Sequence, residues 1–129
     1  MAQAAKPHGG RFLGLEVDEV LMAEGPQPQV VSAHTPAGEP YLLAHTGGAG
    51  WTGTWLCAKV TDRALECVTA GRAEVRDAFA HSATGFVERV TIGTGRAGVL
   101  QETLRLCSEL TDDELPRPGI RLASPARCA

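Results

Sequence analysis

The chain has few aromatic side chains and lacks any long apolar run. Phe, Trp and Tyr make up 5% of its 129 residues, so a core must rest mainly on Leu, Val and Ala. No apolar stretch approaches the roughly 20 residues that span a membrane. The opening MAQAAKPHGG also lacks the apolar region of a secretory signal. These absences predict a cytoplasmic protein with no membrane partner.

Basic runs and paired cysteines are missing as well. A net charge of -3 without a run of Lys or Arg predicts no nucleic-acid partner. Because the cytosol keeps thiols reduced, we expect the four cysteines, Cys57, Cys67, Cys107 and Cys128, to be free thiols and not a disulfide framework. Arg far outnumbers Lys, and Ala and Gly are abundant, a composition typical of a bacterial protein.

The apolar pattern predicts one α+β domain over residues 12–110. Loops of hairpin length that contain Pro or Gly separate the apolar runs, which favours antiparallel pairing. We therefore expect an antiparallel sheet of about four or five strands. The runs lie at 15–22, 29–34, 41–46, 55–60 and 86–92. The first of them also fits a short helix.

Short helices are predicted near 62–80 and 99–110, packed on one face of the sheet. Thr61 can cap the first region, because a threonine side chain accepts a hydrogen bond from the first turn. The second region is predicted from spacing at i, i+4 and i+7 by Leu100, Leu104 and Cys107.

The two ends of the chain are predicted to be tails. Residues 1–11 are small, polar and glycine-rich, which favours a mobile segment. Residues 111–129 contain several prolines, which favours an extended segment. We expect this second tail to dock through Leu115, Ile120 and Leu122.

A G-x-G-x-x-G pattern runs from Gly93 to Gly98, after a strand-like run and before the predicted helix at 99–110. A dinucleotide site needs this pattern inside a βαβ unit, with an acidic residue about 20 positions later. Asp112 and Asp113 stand at that distance, but no second strand precedes them. The pattern therefore predicts a flexible strand-to-helix connection. The alternative is an anion site at a helix N-terminus, formed by Gly93, Gly95, Arg96 and Gly98.

Histidine and cysteine positions leave two kinds of chemistry open. His34 and His45 flank a predicted hairpin and Cys57 lies on the next strand, so the three could hold zinc, but no C-x-x-C or H-x-x-x-H spacing places two ligands close in the sequence. A Cys57/His45 nucleophilic pair is also possible, since such partners need only be close in space. The alternative is that the histidines cap loops and the thiols are small buried groups. We expect no metal, no cofactor and no catalytic residue.

Trp51 follows a glycine-rich loop that contains Gly47, Gly48 and Gly50. An exposed Trp beside such a loop is typical of a contact anchor at a protein interface. The alternative is ordinary packing, which we expect for Trp55. These four residues, Trp51 and the three glycines, are the candidate interaction residues.

Several positions resemble a family of small bacterial domains of unknown function. The resemblance covers residues 18–79 and, more loosely, the C-terminal tail. It lies in Gly25-Pro26, Gly38, Tyr41-Leu42, Trp55-Leu56, Val60-Thr61, Leu65, Gly71, Val75-Arg76-Asp77, Leu115-Pro116 and Gly119. The resemblance implies a compact sheet with two short helices after the third clear strand, and carries over no catalytic residues. This chain differs from the family pattern in its glycine-rich loop at 47–50 and in the run at 99–110.

The absence of a convergent acid, base, nucleophile or ligand set favours a protein without catalysis. The sequence predicts a non-enzymatic interaction module, of the accessory, immunity or antitoxin type, whose partner is another protein. The alternative is a small enzyme that uses a nucleotide or anion at Gly93–Gly98, or a Cys/His site. These two classes differ in that an enzyme needs a pocket with converging polar groups, whereas a binding module needs an exposed apolar patch.

Overall fold

The computed structural model describes residues 11–94 and 98–122 and contains seven strands and two short α-helices. The strands are β1 (Arg11–Phe12), β2 (Leu15–Glu24), β3 (Gln27–His34), β4 (Pro40–Gly47), β5 (Gly53–Lys59), β6 (Phe86–Ile92) and β7 (Val99–Leu106). The helices are α1 (Asp62–Thr69) and α2 (Val75–Ala80), and a short 3-10 helix spans Cys107–Glu109. Each strand pairs antiparallel with the next, so the sheet order is β1-β2-β3-β4-β5-β6-β7. The predicted antiparallel sheet is confirmed, with more strands than the four or five expected.

The helix predicted at 99–110 is wrong. Residues 99–106 form strand β7, which pairs with β6 from Phe86 opposite Leu106 to Ile92 opposite Val99. Leucines four residues apart fit one face of a helix, but even-numbered positions also share one face of a strand. Pairing with β6 supplies backbone hydrogen bonds that override the weak helix preference of this segment.

Both helices follow β5 and precede β6 in the chain. They pack on one side of the sheet, here called the helix side. The Thr61 hydroxyl accepts a hydrogen bond from the Ala64 amide at 3.0 Å, as predicted for the start of α1. Glu74 and Asp77 form a reciprocal capping box at the start of α2. The helices contribute to the helix-side core of Val30, Leu42, Ala44, Leu56, Ala58, Val60, Val68, Val75, Ala78, Phe79, Val87 and Leu122.

The segment after β7 docks against the helices. Leu122 is buried in the helix-side core, and Leu115 and Ile120 pack on its rim. The Ile120 carbonyl accepts a hydrogen bond from the Val75 amide at 2.9 Å. The predicted N-terminal tail lies outside the described residues except for Arg11, which begins β1, and residues 123–129 also lie outside them.

The other side of the sheet, here called the Trp side, has a second and smaller core. It consists of Phe12, Leu15, Val31, Ala33, Leu43, Trp51, Trp55, Cys57 and Val90. The ring of Phe12 meets those of Trp51 and Trp55 edge to face, with centroids 4.9 and 5.1 Å away. Such pairs add stabilisation beyond the area that they bury. Aromatic side chains are therefore scarce but concentrated on this side.

Candidate functional site

Strand β7 forms an edge of the sheet, and within the described ranges it pairs with β6 alone. Its residues are exposed except for half-buried Arg105. Four of them are large and apolar, with exposed fractions of 52% for Val99, 63% for Leu100, 63% for Leu104 and 40% for Leu106. An edge strand with exposed leucines is a template for adding another strand. This edge is the strongest candidate surface in the described part of the chain.

The opposite edge differs in charge. In the part of the chain that the structure describes, strand β1 has two residues and covers β2 at Leu15 and Glu16. The rest of β2 carries further acidic side chains, at Asp18, Glu19 and Glu24. Charged side chains discourage the addition of a strand. The two edges are therefore unequal, and β7 is the one suited to binding.

Two carboxylates lie beside the exposed leucines on the Trp side. In the β6–β7 pairing Leu104 is opposite Glu88, and Glu102 is opposite Val90. Glu88 and Glu102 are thus diagonal neighbours on one face. Burial, and then the charge of Glu102, raises the pKa of Glu88 above its ordinary value. Phe86, which is 41% exposed, begins the same strand as Glu88.

A shallow pocket of about 220 Å³ lies next to these groups. Its lining includes Tyr41, Cys57, Lys59 and Glu88. Burial, and then the charge of Glu88, raises the pKa of the Tyr41 hydroxyl, so this group is a neutral hydrogen-bond donor. The hydrogen bond to Glu39 raises the pKa of Lys59 and keeps its ammonium charged. The pocket therefore offers polar recognition groups.

Cys57 in this pocket is poorly suited to nucleophilic catalysis. Burial raises the pKa of its thiol, and the charges of Glu88 and Glu102 raise it further. A reactive cysteine needs the opposite shift, because the thiolate is the nucleophile. Cys57 is instead a small buried group within the Trp-side core.

Substituting Glu88→Gln is expected to stabilise the fold at pH 7 by a few tenths of a kcal/mol, because it removes one of two like charges on neighbouring strands. The pKa of Glu88 is higher in the folded state than in the unfolded state, so protonation of Glu88 stabilises the fold. This stabilisation is fully present below the unfolded-state pKa. That stability is lost as the pH rises through the folded pKa. The gain from Gln should therefore vanish below about pH 4.

Urea titrations at pH 7 and at acidic pH measure this difference in the free energy of unfolding. The Glu109→Gln variant is the control, since it removes an exposed carboxylate outside the β6–β7 pairing. An equal gain for both variants, or a gain that persists at acidic pH, would contradict the repulsion between Glu88 and Glu102.

A larger cleft of about 510 Å³ lies at another end of the sheet. The β2–β3 turn, the glycine loop after β4 and the docked C-terminal segment form its walls, and its charged residues are Glu24, Asp113 and Arg117. All three are exposed. The cleft thus lacks a buried charged group that would mark a built active site.

Trp51 packs rather than projects into solvent. It is 9% exposed, and its ring stacks on Trp55 with centroids 5.6 Å apart. The Trp55 indole also donates a hydrogen bond to the Trp51 carbonyl at 3.0 Å. Of the two alternatives for Trp51, the structure selects ordinary packing. In the preceding loop Gly47 and Gly48 are exposed and Gly50 is half-buried.

The G-x-G-x-x-G segment is a hairpin connection between β6 and β7. The Gly93 amide donates to the Gly98 carbonyl at 2.8 Å and closes the turn. A strand follows instead of a helix, so the helix N-terminus on which the anion alternative depended is not formed. The predicted strand-to-helix connection is corrected for the same reason. Gly95 and Arg96 lie outside the described residues.

The structure does not bring His34, His45 and Cys57 together as a metal site. His34 lies opposite Pro40, whereas His45 is five residues farther along β4, roughly 17 Å at the rise of a strand. The His34 ring contacts Asp18 at 2.7 Å. The His45 ring stacks on Trp55, and its Nε2 donates to the Thr52 carbonyl at 2.7 Å. Within the described residues no group of three or more His, Cys, Asp or Glu is placed to hold a metal ion.

None of the described cysteines forms a disulfide. Cys57, Cys67 and Cys107 are free thiols, and Cys128 lies outside the described residues. Cys107 begins the 3-10 helix that follows β7, and its sulfur lies 3.2 Å from the Ser82 hydroxyl.

No family model, curated protein or solved structure matches this chain. The resemblance to small bacterial domains of unknown function therefore stays a prediction. No helix in the described ranges is long and apolar enough to cross a membrane.

The residues of the surface around β7, here called the β7 surface, were not identified from the sequence alone. They are Phe86, Glu88, Leu100, Glu102, Leu104 and Leu106. One signal was available: the glycine-rich segment at 93–98 lies between two runs that each contain β-branched residues, a typical hairpin pattern. Reading 99–106 as the second strand of that hairpin would have placed the even-numbered leucines together on one face.

Proposed function

We propose that this chain is a non-enzymatic protein-interaction module, of the accessory, immunity or antitoxin type, that binds its partner through β7. One observation carries the proposal: Leu100 and Leu104 are each 63% exposed on an edge strand. Exposed apolar side chains on an unpaired edge promote aggregation unless a partner covers them. The polar groups around Glu88 would form the rim of the same interface.

An enzyme and an interaction module require different properties of the residues around this pocket. A catalytic Cys57 would need a lowered pKa and a nearby base, whereas burial raises its pKa and His45 bonds to a carbonyl. An interface needs only exposed apolar area with polar groups at its margin, and β7 has both. The arrangement therefore favours binding over catalysis.

The double substitution Leu100→Lys with Leu104→Lys is expected to weaken partner binding by about 30-fold or more, because the loss of even one hot-spot contribution of roughly 2 kcal/mol has that effect. Native mass spectrometry of the tagged chain isolated from its own cells measures the heteromeric complex. The complex should form with the parent chain and disappear with the double variant. Both leucines are largely exposed, so we expect the free energy of unfolding to change by no more than about 1 kcal/mol.

Val20→Lys is the matched control, because Val20 is 42% exposed but lies on β2. It should leave the complex intact. A complex that survives the double variant, or that Val20→Lys disrupts equally, would move the interface away from β7. A parent chain that carries no protein partner would refute the proposed function.

A further inference from the structure

The β7 edge combines exposed leucines with two carboxylates, and this combination specifies the chemistry of a partner. We propose that β7 binds an extended segment of another protein in which a lysine or arginine lies two residues from an apolar residue. This inference rests on the proposed interaction function and adds the partner's side-chain pattern to it.

The backbone of β7 is oriented to accept such a segment. The Cys107 amide donates to the Gly85 carbonyl at 2.9 Å, which makes these two residues a hydrogen-bonded pair. Hydrogen-bonded and non-hydrogen-bonded pairs alternate along an antiparallel ladder. Arg105 and Thr103 therefore also direct their backbone N–H and C=O groups toward β6. Glu102, Leu104 and Leu106 therefore present their N–H and C=O groups outward. An added strand finds free donors and acceptors at these three positions.

The side chains of the same three residues lie on the Trp side. Leu104 is opposite Glu88 and Leu106 is opposite Phe86, so the leucines continue the apolar surface that Phe86 begins. Glu102 interrupts that surface with a carboxylate. An added strand with matching faces places apolar side chains next to Leu104 or Leu106 and a basic side chain next to Glu102.

Glu88 strengthens the selection for a cation. It lies diagonally next to Glu102, one strand farther into the sheet. The chain has a basic residue on the Trp side at Lys59, but its ammonium pairs with Glu39. A partner lysine or arginine would neutralise the repulsion between Glu88 and Glu102.

A second copy of this chain fits the edge less well. Antiparallel pairing of β7 with itself, Leu100 opposite Leu104, would place the Glu102 residues of the two copies directly opposite each other. Like charges in that position are destabilising. The basic residue of β7, Arg105, is on the helix side and bonds to Glu114. In this register the charges therefore favour a different protein as the partner.

The test is an NMR titration of the ¹⁵N-labelled full chain with two short capped peptides, Thr-Val-Thr-Lys-Thr-Val-Thr and its twin with Glu in place of Lys. The Lys peptide should shift the backbone amides of Glu102, Leu104 and Leu106. Its half-saturation concentration should be about fivefold lower than that of the Glu twin, given a cross-strand charge effect near 1 kcal/mol. In the Glu102→Gln variant this preference should fall to less than about twofold.

The Asp113→Asn variant is the control for net charge, because it removes an exposed carboxylate that lines the larger cleft and not the pocket beside Glu88. It should keep the preference for the Lys peptide. Equal binding of the two peptides at β7 would overturn the charge inference and leave the interaction function standing. No shift at β7 with either peptide would count against both. Concentration-dependent dimerisation in sedimentation velocity, abolished by Leu104→Lys, would assign the edge to a second copy and overturn the inference.

Discussion

Replacing Trp55 with alanine is expected to lower the free energy of unfolding by about 3–5 kcal/mol, the usual range for a buried aromatic side chain. Trp55 is 0% exposed and stacks on His45 and Trp51. Its indole N–H also bonds to the Trp51 carbonyl, so the substitution leaves that acceptor without its partner. Few other aromatic rings are present to fill the resulting cavity. Urea denaturation followed by far-UV circular dichroism measures the loss without depending on tryptophan fluorescence.

Phe86→Ala is the matched control for Trp55→Ala. It also removes an aromatic ring, but Phe86 is 41% exposed, so the loss should be no more than about 1 kcal/mol. Similar losses for the two variants would show that the Trp-side core does not hold the sheet together as described.

Gly53→Ala is expected to destabilise the fold by about 3–4 kcal/mol, near the upper end for a single substitution. The backbone φ at Gly53 is 98°, which side chains rarely adopt. A Cβ atom there would lie 2.0 Å from the Gly47 carbonyl oxygen and 2.6 Å from the Gly48 Cα. Both contacts are with backbone, so relief requires the whole loop to move. The glycine loop is therefore explained by close approach of two backbone segments.

Gly50→Ala separates the two contributions to that loss. Gly50 also has a positive φ of 59°, but a Cβ there would meet nothing within 4 Å. Its loss should be only the conformational cost, about 1 kcal/mol. The same urea titration compares the two variants. Equal losses at Gly50 and Gly53 would mean that the contact between the two segments is absent in solution.

The candidate surface shows most clearly what the sequence could not supply. The spacing of Leu100 and Leu104 matches one turn of a helix and so predicts a helix, yet it is equally compatible with one face of a strand. Only pairing with β6 distinguishes the two, and that pairing depends on contacts between distant positions such as Glu88 and Leu104. The polar neighbourhood of Glu88 and Glu102 could not be anticipated for the same reason.

The sequence by itself determined the elements whose signals are local. Pro- and Gly-containing turns separate the runs that became β3, β4 and β5, and Thr61 marks the start of α1 through a bond within one helical turn. The tertiary structure alone decided that 99–106 is an edge strand, that the glycine motif is a hairpin, and that Trp51 packs against Trp55. The physical reason is that pairing and burial join residues far apart in the chain, whereas propensity and capping act within a few residues of one another.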